Sequence, residues 1–323
     1  MPAIYTKLLD VDKVELVIGP YATAQIAPAM PIVMQKKKMF IGLLGLAVNT
    51  EFNYPNYFAM IPSGPDAKPA FTKGFFDIAM AQGQKPQTVA IVAADQEFSR
   101  NAADGARENA KAANLRVVYD RTYPPSTADF APIVRAIQAS NPDIVVVCSY
   151  PPDSVGMVRS VNEIGFKPKA IGGAMVGLQA TAIKTQLGPL LNGWTNYDFW
   201  LPVPKMEFTG VADLIKRYQA KAAAEGVDPL GYYMAPWGYA QLQVLQQAVE
   251  VGDYIRANTF KTVVGDVKFG AKGEWEKSRV LQVQFQNVKG NDVAQFKDMS
   301  TQVVVAPAEY ESGKVIYPYE KAK

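Results

Sequence analysis

The residues best placed to do chemistry sit in turns that follow apolar runs. The segment Gly19-Pro20-Tyr21-Ala22-Thr23-Ala24-Gln25 joins an extended apolar stretch to a helical one. Thr23 falls near the helix N-cap, where free N–H groups, the helix dipole and a hydroxyl can together hold a carboxylate. The same position also suits plain capping, and position alone does not separate the two. Phe98 follows the run Thr88-Val89-Ala90-Ile91-Val92, and Tyr150 follows Ile144-Val145-Val146-Val147-Cys148. If those runs are neighbouring parallel strands, both rings face one cleft. Asp95 and Glu97 are spaced as a carboxylate pair but read as solvated residues past a strand end. Cys148 closes an apolar run and reads as a small core residue rather than a nucleophile. Lys36-Lys37-Lys38 reads as a solvated helix end, where cations suit the dipole.

Whole classes of chemistry are excluded by what is missing. The 323 residues contain no histidine, which removes imidazole ligands, Ser-His-Asp triads and Cys-His pairs. One cysteine allows no intrachain disulfide and no Cys-rich metal site. No G-x-G, G-x-x-x-x-G-K-[ST] or G-x-S-x-G occurs, so the dinucleotide, P-loop and nucleophile-elbow signatures are absent. Gly42 and Gly45 form only a weak G-x-x-G. Net charge is +3 with a pI of about 8.6, too mild to argue for nucleic acid. Hydrophobic residues make up 49% and charged residues 20%, with a mean hydropathy of -0.05, a globular profile. The longest apolar runs are about ten residues, against the roughly 20 that a membrane helix needs.

The elements that must position these residues alternate. Val14–Pro20, Met39–Leu43 and Tyr57–Met60 read as strands, with a helix over 23–37 between the first two despite Pro28 and Pro31. Residues 66–82, 99–113, Phe130–Ala139 and 153–164 read as helices between strands at 88–92, 116–119, 144–148 and 170–172. Apolar strands alternating with amphipathic helices predict a parallel sheet covered on both faces. Helices follow at 207–225 and 234–250. Short strands are then expected at Val263–Gly265, Val267–Phe269 and Val280–Phe285. Pro-rich or turn-rich segments at Ile61–Pro65, Phe199–Pro204 and about 274–280 are candidate hinges. Three crossings make two lobes from discontinuous chain, with a cleft between them as the natural ligand site.

Four stretches carry a family resemblance: VELVIGPYATAQ at 14–25, QTVAIVAADQEFSRNAADG at 87–105, DFAPIVRAIQASNPDIVVVCSY at 129–150, and TVVGDVKF at 262–269 followed by Lys272-Gly273. In this collinear order the chain resembles the periplasmic substrate-binding proteins of branched-chain amino-acid type ABC importers, the type I, Leu/Ile/Val-binding group. The resemblance implies two doubly wound α/β lobes of Venus-flytrap type joined by three crossings. Lobe 1 would comprise residues 1–62 and 204–275, and lobe 2 residues 63–203 and 276–323. It implies a ligand carboxylate held at Thr23 beside Tyr21 and Ala22, with main-chain contacts from Leu44 and Leu46. Phe98 would line the pocket, Tyr150 or its neighbour Pro151 would fall where another aromatic sits, and Met175 is a further expected ligand contact.

Two departures qualify that resemblance. The amino-acid binders of the group carry an acid near 170–175 that pairs with the ligand ammonium, and Ile171-Gly172-Gly173-Ala174-Met175-Val176-Gly177 has none. An unpaired buried ammonium is costly, so the expected ligand is an aromatic or aliphatic carboxylate or an amide rather than a standard α-amino acid. Family members also open with a strand, helix and strand ahead of the region matching Met1–Leu9, so an N-terminal truncation or a late start is expected. No secretory signal precedes Ile4; a periplasmic location follows from the resemblance alone. The implied role is solute capture for a membrane permease by a monomer, with no cofactor, metal, nucleic acid or catalysis. A ligand-sensing regulator or receptor domain of the same fold is the alternative.

Overall fold

The computed structural model describes residues 1–251 and 255–323. A short helix α1 (Pro2–Thr6) runs into a π-helical turn at Lys7–Val11. There follow β1 (Val17–Tyr21), α2 (Thr23–Gln35), β2 (Phe40–Leu43), α3 (Val48–Phe52) and β3 (Tyr57–Ala59). These strands form a three-stranded parallel sheet in the order β1-β2-β3. The chain continues through α4 (Ala67–Met80), β4 (Thr88–Ala94), α5 (Glu97–Ala112), β5 (Arg116–Tyr123), α6 (Ala131–Ala139), β6 (Ile144–Ser149) and α7 (Pro151–Ile164). Next come β7 (Ala170–Met175), α8 (Thr181–Leu187), β8 (Trp194–Asp198), α9 (Val211–Glu225) and α10 (Ala235–Val251). A hairpin of β9 (Phe260–Thr262) and β10 (Gly265–Val267) precedes β11 (Leu281–Phe285) and β12 (Gln302–Ala306).

The larger sheet has seven strands in the order β12-β11-β8-β7-β6-β4-β5. The pairs from β5 to β8 are parallel, and β11 and β12 extend the sheet antiparallel beyond β8. Every residue of β4 and β6 is buried, the burial expected of parallel strands with helices on both faces. The edge strand β5 instead exposes Arg116, Val117, Arg121 and Thr122. Cys148 lies in this core at 0% exposure, and burial pushes its thiol up to about 12, which keeps it an unreactive thiol.

Two strands of this sheet, β8 and β12, are not legible in the sequence. In β8 the run Trp194-Thr195-Asn196-Tyr197-Asp198 mixes apolar and polar residues, yet all are buried. Asn196 is satisfied there by the backbone of Met175, accepting from its N–H at 2.9 Å and donating to its carbonyl at 2.9 Å. The hairpin is displaced from its expected position. Val263 and Val264 are buried but form the turn, which Gly265 closes at φ +85°. Apolarity placed them in strands; packing inside a turn accounts for it equally well.

The two sheets are the centres of two lobes. The chain passes between them at 61–65, at 199–204 and at 276–280, as three crossings. Arg279 N–H donates to the Pro62 carbonyl at 2.7 Å, tying the first crossing to the third. Gly64, at φ +76°, rests on Ser278, whose backbone nitrogen lies 2.7 Å from the place a Cβ would take. Helix α10 belongs to the smaller lobe, since Gln241 Nε2 donates to the Gly19 carbonyl at 3.2 Å and the Ile41 carbonyl at 2.7 Å. On the outer side of β1, the Tyr5 hydroxyl donates to the Ile18 carbonyl at 2.7 Å.

In the larger lobe α4 and α5 meet at Gly105, where an added Cβ would lie 2.1 Å from the Lys68 carbonyl oxygen. Asn109 secures the contact through the Pro69 carbonyl at 2.8 Å and the Thr72 hydroxyl at 3.0 Å. Gly105→Ala is therefore expected to lower stability by roughly 1–3 kcal/mol through overpacking. The urea midpoint measures it, and an unchanged midpoint would show that the helices part freely.

Candidate functional site

Because the strands within each lobe run parallel, their carboxyl ends gather at one edge of each sheet, and those edges face each other. A nearly filled pocket lies there, with a cavity volume of about 10 Å³. From the smaller lobe come Tyr21, Ala22 and Thr23 at the β1–α2 turn, and Leu44 after β2. From the larger lobe come Phe71 on α4, Phe98 at the start of α5, Tyr150 after β6, Val176 after β7 and Tyr197 on β8. Ile61 and Phe199 enter from two of the crossings, and Tyr233 from the turn before α10.

Six of the eight residues singled out in the sequence thus share one pocket: Tyr21, Ala22, Thr23, Leu44, Phe98 and Tyr150. Leu46 and Met175 fall outside its lining. Leu46 is buried at 0% exposure, and its N–H is spent on the Thr23 hydroxyl at 2.9 Å. Met175 is also at 0% exposure, held through its backbone by Asn196, and its neighbour Val176 is the lining residue. Phe71, Tyr197, Phe199 and Tyr233 carry no motif. The aromatic density of Trp194–Trp200 was the available signal for two of them, and it reads equally well as core.

The rings pack edge to face around the space. Phe71 lies 5.4 Å from Phe98, 4.6 Å from Tyr197 and 5.7 Å from Phe199, centroid to centroid. Phe98 meets Tyr150 at 5.8 Å, and Phe199 stacks on Tyr233 at 6.1 Å. The phenols of Tyr21 and Tyr197 each stand 3.3 Å from that of Tyr233, long for O–H···O contacts. The Tyr150 hydroxyl is buried without a partner. Burial raises all four phenols above their ordinary pKa, so they stay neutral donors. No acidic or basic side chain lines the pocket among the described residues.

The polar end is the start of α2. The N-cap is Ala22, at φ +74° and ψ +149°, a region nearly reserved for glycine. Thr23 is the first helical residue, and its hydroxyl does not cap the helix; it accepts from Leu46 N–H and locks the loop after β2. Leu44 and Ala47 in that loop also have positive φ, at +54° and +55°. Gln25 and Ile26 N–H groups bond to the Ala22 carbonyl, whereas Thr23 and Ala24 N–H groups have no backbone partner among the described residues. Free N–H groups at the positive end of a 13-residue helix suit an anion.

Residues 2–274 match the family model for periplasmic binding proteins. The chain belongs to that family. It is 27% identical over 231 residues to Leu/Ile/Val-binding protein homolog 8 of Brucella abortus, a match covering 66% of this chain and 56% of that relative. The chain thus spans little more than half the length of that relative. Its fold is that of the leucine-binding protein of Thermotoga maritima, with a TM-score of 0.74 at 18% identity, covering 88% of this chain and 80% of that one. A solute-binding protein of an R. palustris ABC transporter, solved in complex with 4-hydroxybenzoate, gives a TM-score of 0.70 at 16% identity, covering 89% and 78%. As a periplasmic binding protein fold, the chain places its pocket where both lobes contribute.

Two outcomes test this geometry. Ala22→Gly is expected to be neutral or to stabilise by up to about 1 kcal/mol, because glycine relieves the positive φ. Destabilisation on chemical denaturation would mean that the strain is absent. Thr23→Val leaves Leu46 N–H without its acceptor and should cost roughly 1–3 kcal/mol; Thr23→Ser, which keeps the hydroxyl, should restore most of it.

Proposed function

We propose that the protein is the extracytoplasmic solute-binding component of an ABC importer, and that it captures a small carboxylate lacking an ammonium group. The observation that carries this reading is the make-up of the pocket: free helix N–H groups at one end, aromatic walls, neutral phenols, and no carboxylate. An anion meets the α2 N-terminus, while an α-ammonium would lie desolvated with no counter-charge. The rings favour an aromatic acid over an aliphatic one through edge and face contacts. The family membership, and the 4-hydroxybenzoate found in the R. palustris protein, are consistent with this class.

The mechanism follows from the lining. Residues 1–62 with 204–275 form one closing lobe, and residues 63–203 with 276–323 the other. The open form exposes both walls of the pocket to water. A ligand that touches Thr23 and Ala24 N–H on one lobe and Phe98 and Tyr150 on the other binds the closed form better, and so shifts the population toward it. At about 10 Å³ the present cavity is far below the roughly 300 Å³ at the lower end of ordinary ligand sites, so a solute enters before the rings close up. The closed monomer would then deliver its solute to a membrane permease from the periplasmic side.

Calorimetric titration of the purified chain with benzoate, 4-hydroxybenzoate, a short aliphatic acid, leucine and isoleucine tests the proposal. Saturable binding of an aromatic acid without binding of leucine is expected. Tight leucine binding with no response to any acid lacking an ammonium would overturn the ligand class. Thr23→Val keeps the Thr23 and Ala24 N–H donors and loosens only the loop after β2, so it should weaken the acid by less than about tenfold, roughly 1.4 kcal/mol.

A further inference from the structure

A second cleft opens between the lobes beside the crossings. Its volume is about 630 Å³, and no residue lining it lines the aromatic pocket. Two of its buried polar groups have no hydrogen-bond partner: Oε2 of Glu274, a residue 5% exposed, and Oγ of Ser63, a residue 1% exposed. Ser63 lies on the first crossing and Glu274 just ahead of the third. The cleft is also lined by Asp66, at the N-cap of α4 but making no capping bond, and by Glu108 on α5.

Three acids and three lysines line this cleft, but the buried acid has no cation beside it. Lys68 is committed to Asp104 at 3.0 Å, and Lys73 to Asp77 at 2.6 Å. Among the described residues Glu274, Asp66 and Glu108 take part in no ion pair, and Lys272 is the one lysine of the cleft outside any salt bridge. Burial with no cation alongside pushes the Glu274 carboxyl up to about 8. Tyr57 on β3 is the other titratable group close to it; its phenol is also without a partner and is raised by burial and by Glu274. A buried carboxyl and hydroxyl left unpaired are the groups that a compact donor-bearing cation satisfies.

We propose that this cleft is a second binding site, taking a small ammonium cation held by Glu274 and Ser63 beside the crossings. The N–H donors of an ammonium suit these two oxygens, and its charge pairs with the carboxylate that Glu274 becomes on binding. Since the walls come from both lobes, an occupied cleft favours the closed arrangement and acts alongside the solute. The site is independent of which solute fills the aromatic pocket.

Calorimetric titration with methylammonium chloride, against sodium chloride at equal ionic strength, tests this. At pH 7, titrations in two buffers of different protonation enthalpy should show proton release approaching one per cation, because Glu274 ionises as the cation arrives. Above about pH 9 the carboxyl is already ionised, so binding tightens and the release disappears. Glu274→Gln is expected to lose the methylammonium heat, while Glu276→Gln, exposed on the same segment, keeps it. Should Glu274→Gln fail to fold, Ser63→Ala provides the reading, with an expected loss of affinity of at least threefold. No methylammonium heat beyond that of sodium, or equal heat in the wild type and Glu274→Gln, overturns the site.

Discussion

Parallel strand pairing is the constraint on which the rest of this molecule depends. It puts the carboxyl ends of β1 and β2 at one edge of the smaller sheet, and those of β4, β6 and β7 at one edge of the larger. The turns after those ends then meet across the gap, which is where open α/β sheets bind ligands. Thr23 shows how closely the turns are locked. Its hydroxyl accepts the Leu46 N–H, so the loop after β2 and the start of α2 hold their shape together. That shape leaves Ala22, Leu44 and Ala47 at positive φ. Strain of this kind persists where surrounding structure over-determines the backbone, and here it is concentrated beside the pocket.

The pocket chemistry is equally selective. Its polar groups are backbone N–H donors and phenols, all neutral, in a space walled by aromatic rings. Such a site suits a carboxylate at the helix end and has no carboxylate of its own to pair with an ammonium. The cleft beside the crossings differs: charged side chains of both signs line it, and the buried Glu274 carboxyl has no ion-pair partner.

The legible part of the fold followed the strength of the local signal. Strands β4 and β6 are unbroken apolar runs and were plain, as were the helices between them. Strand β8 was missed because Asn196 and Asp198 interrupt its apolar pattern, and their burial is made tolerable by the distant Met175 backbone for Asn196, and by the adjacent Phe199 N–H with nearby Lys184 for Asp198. The hairpin register slipped because Val263 and Val264 are as apolar as a strand but fill a turn. At the site, Thr23, Phe98 and Tyr150 were found because strand ends mark them, while Phe71 and Tyr233 sit on elements with no such marker.

By itself the sequence determined the fold class, the family, the absence of histidine and nucleotide-loop chemistry, and the lack of an acid in the 170–177 stretch. These depend on residue identity and on short-range periodicity, which a linear chain displays in full. Only the tertiary structure decided that Thr23 spends its hydroxyl on Leu46, that Tyr197, Phe199 and Tyr233 close the aromatic pocket, and that Glu274 and Ser63 remain unpaired beside the crossings. Each of these is a contact between residues far apart in the chain, and its partner is chosen by how two sheets and three crossings pack, which no local pattern encodes.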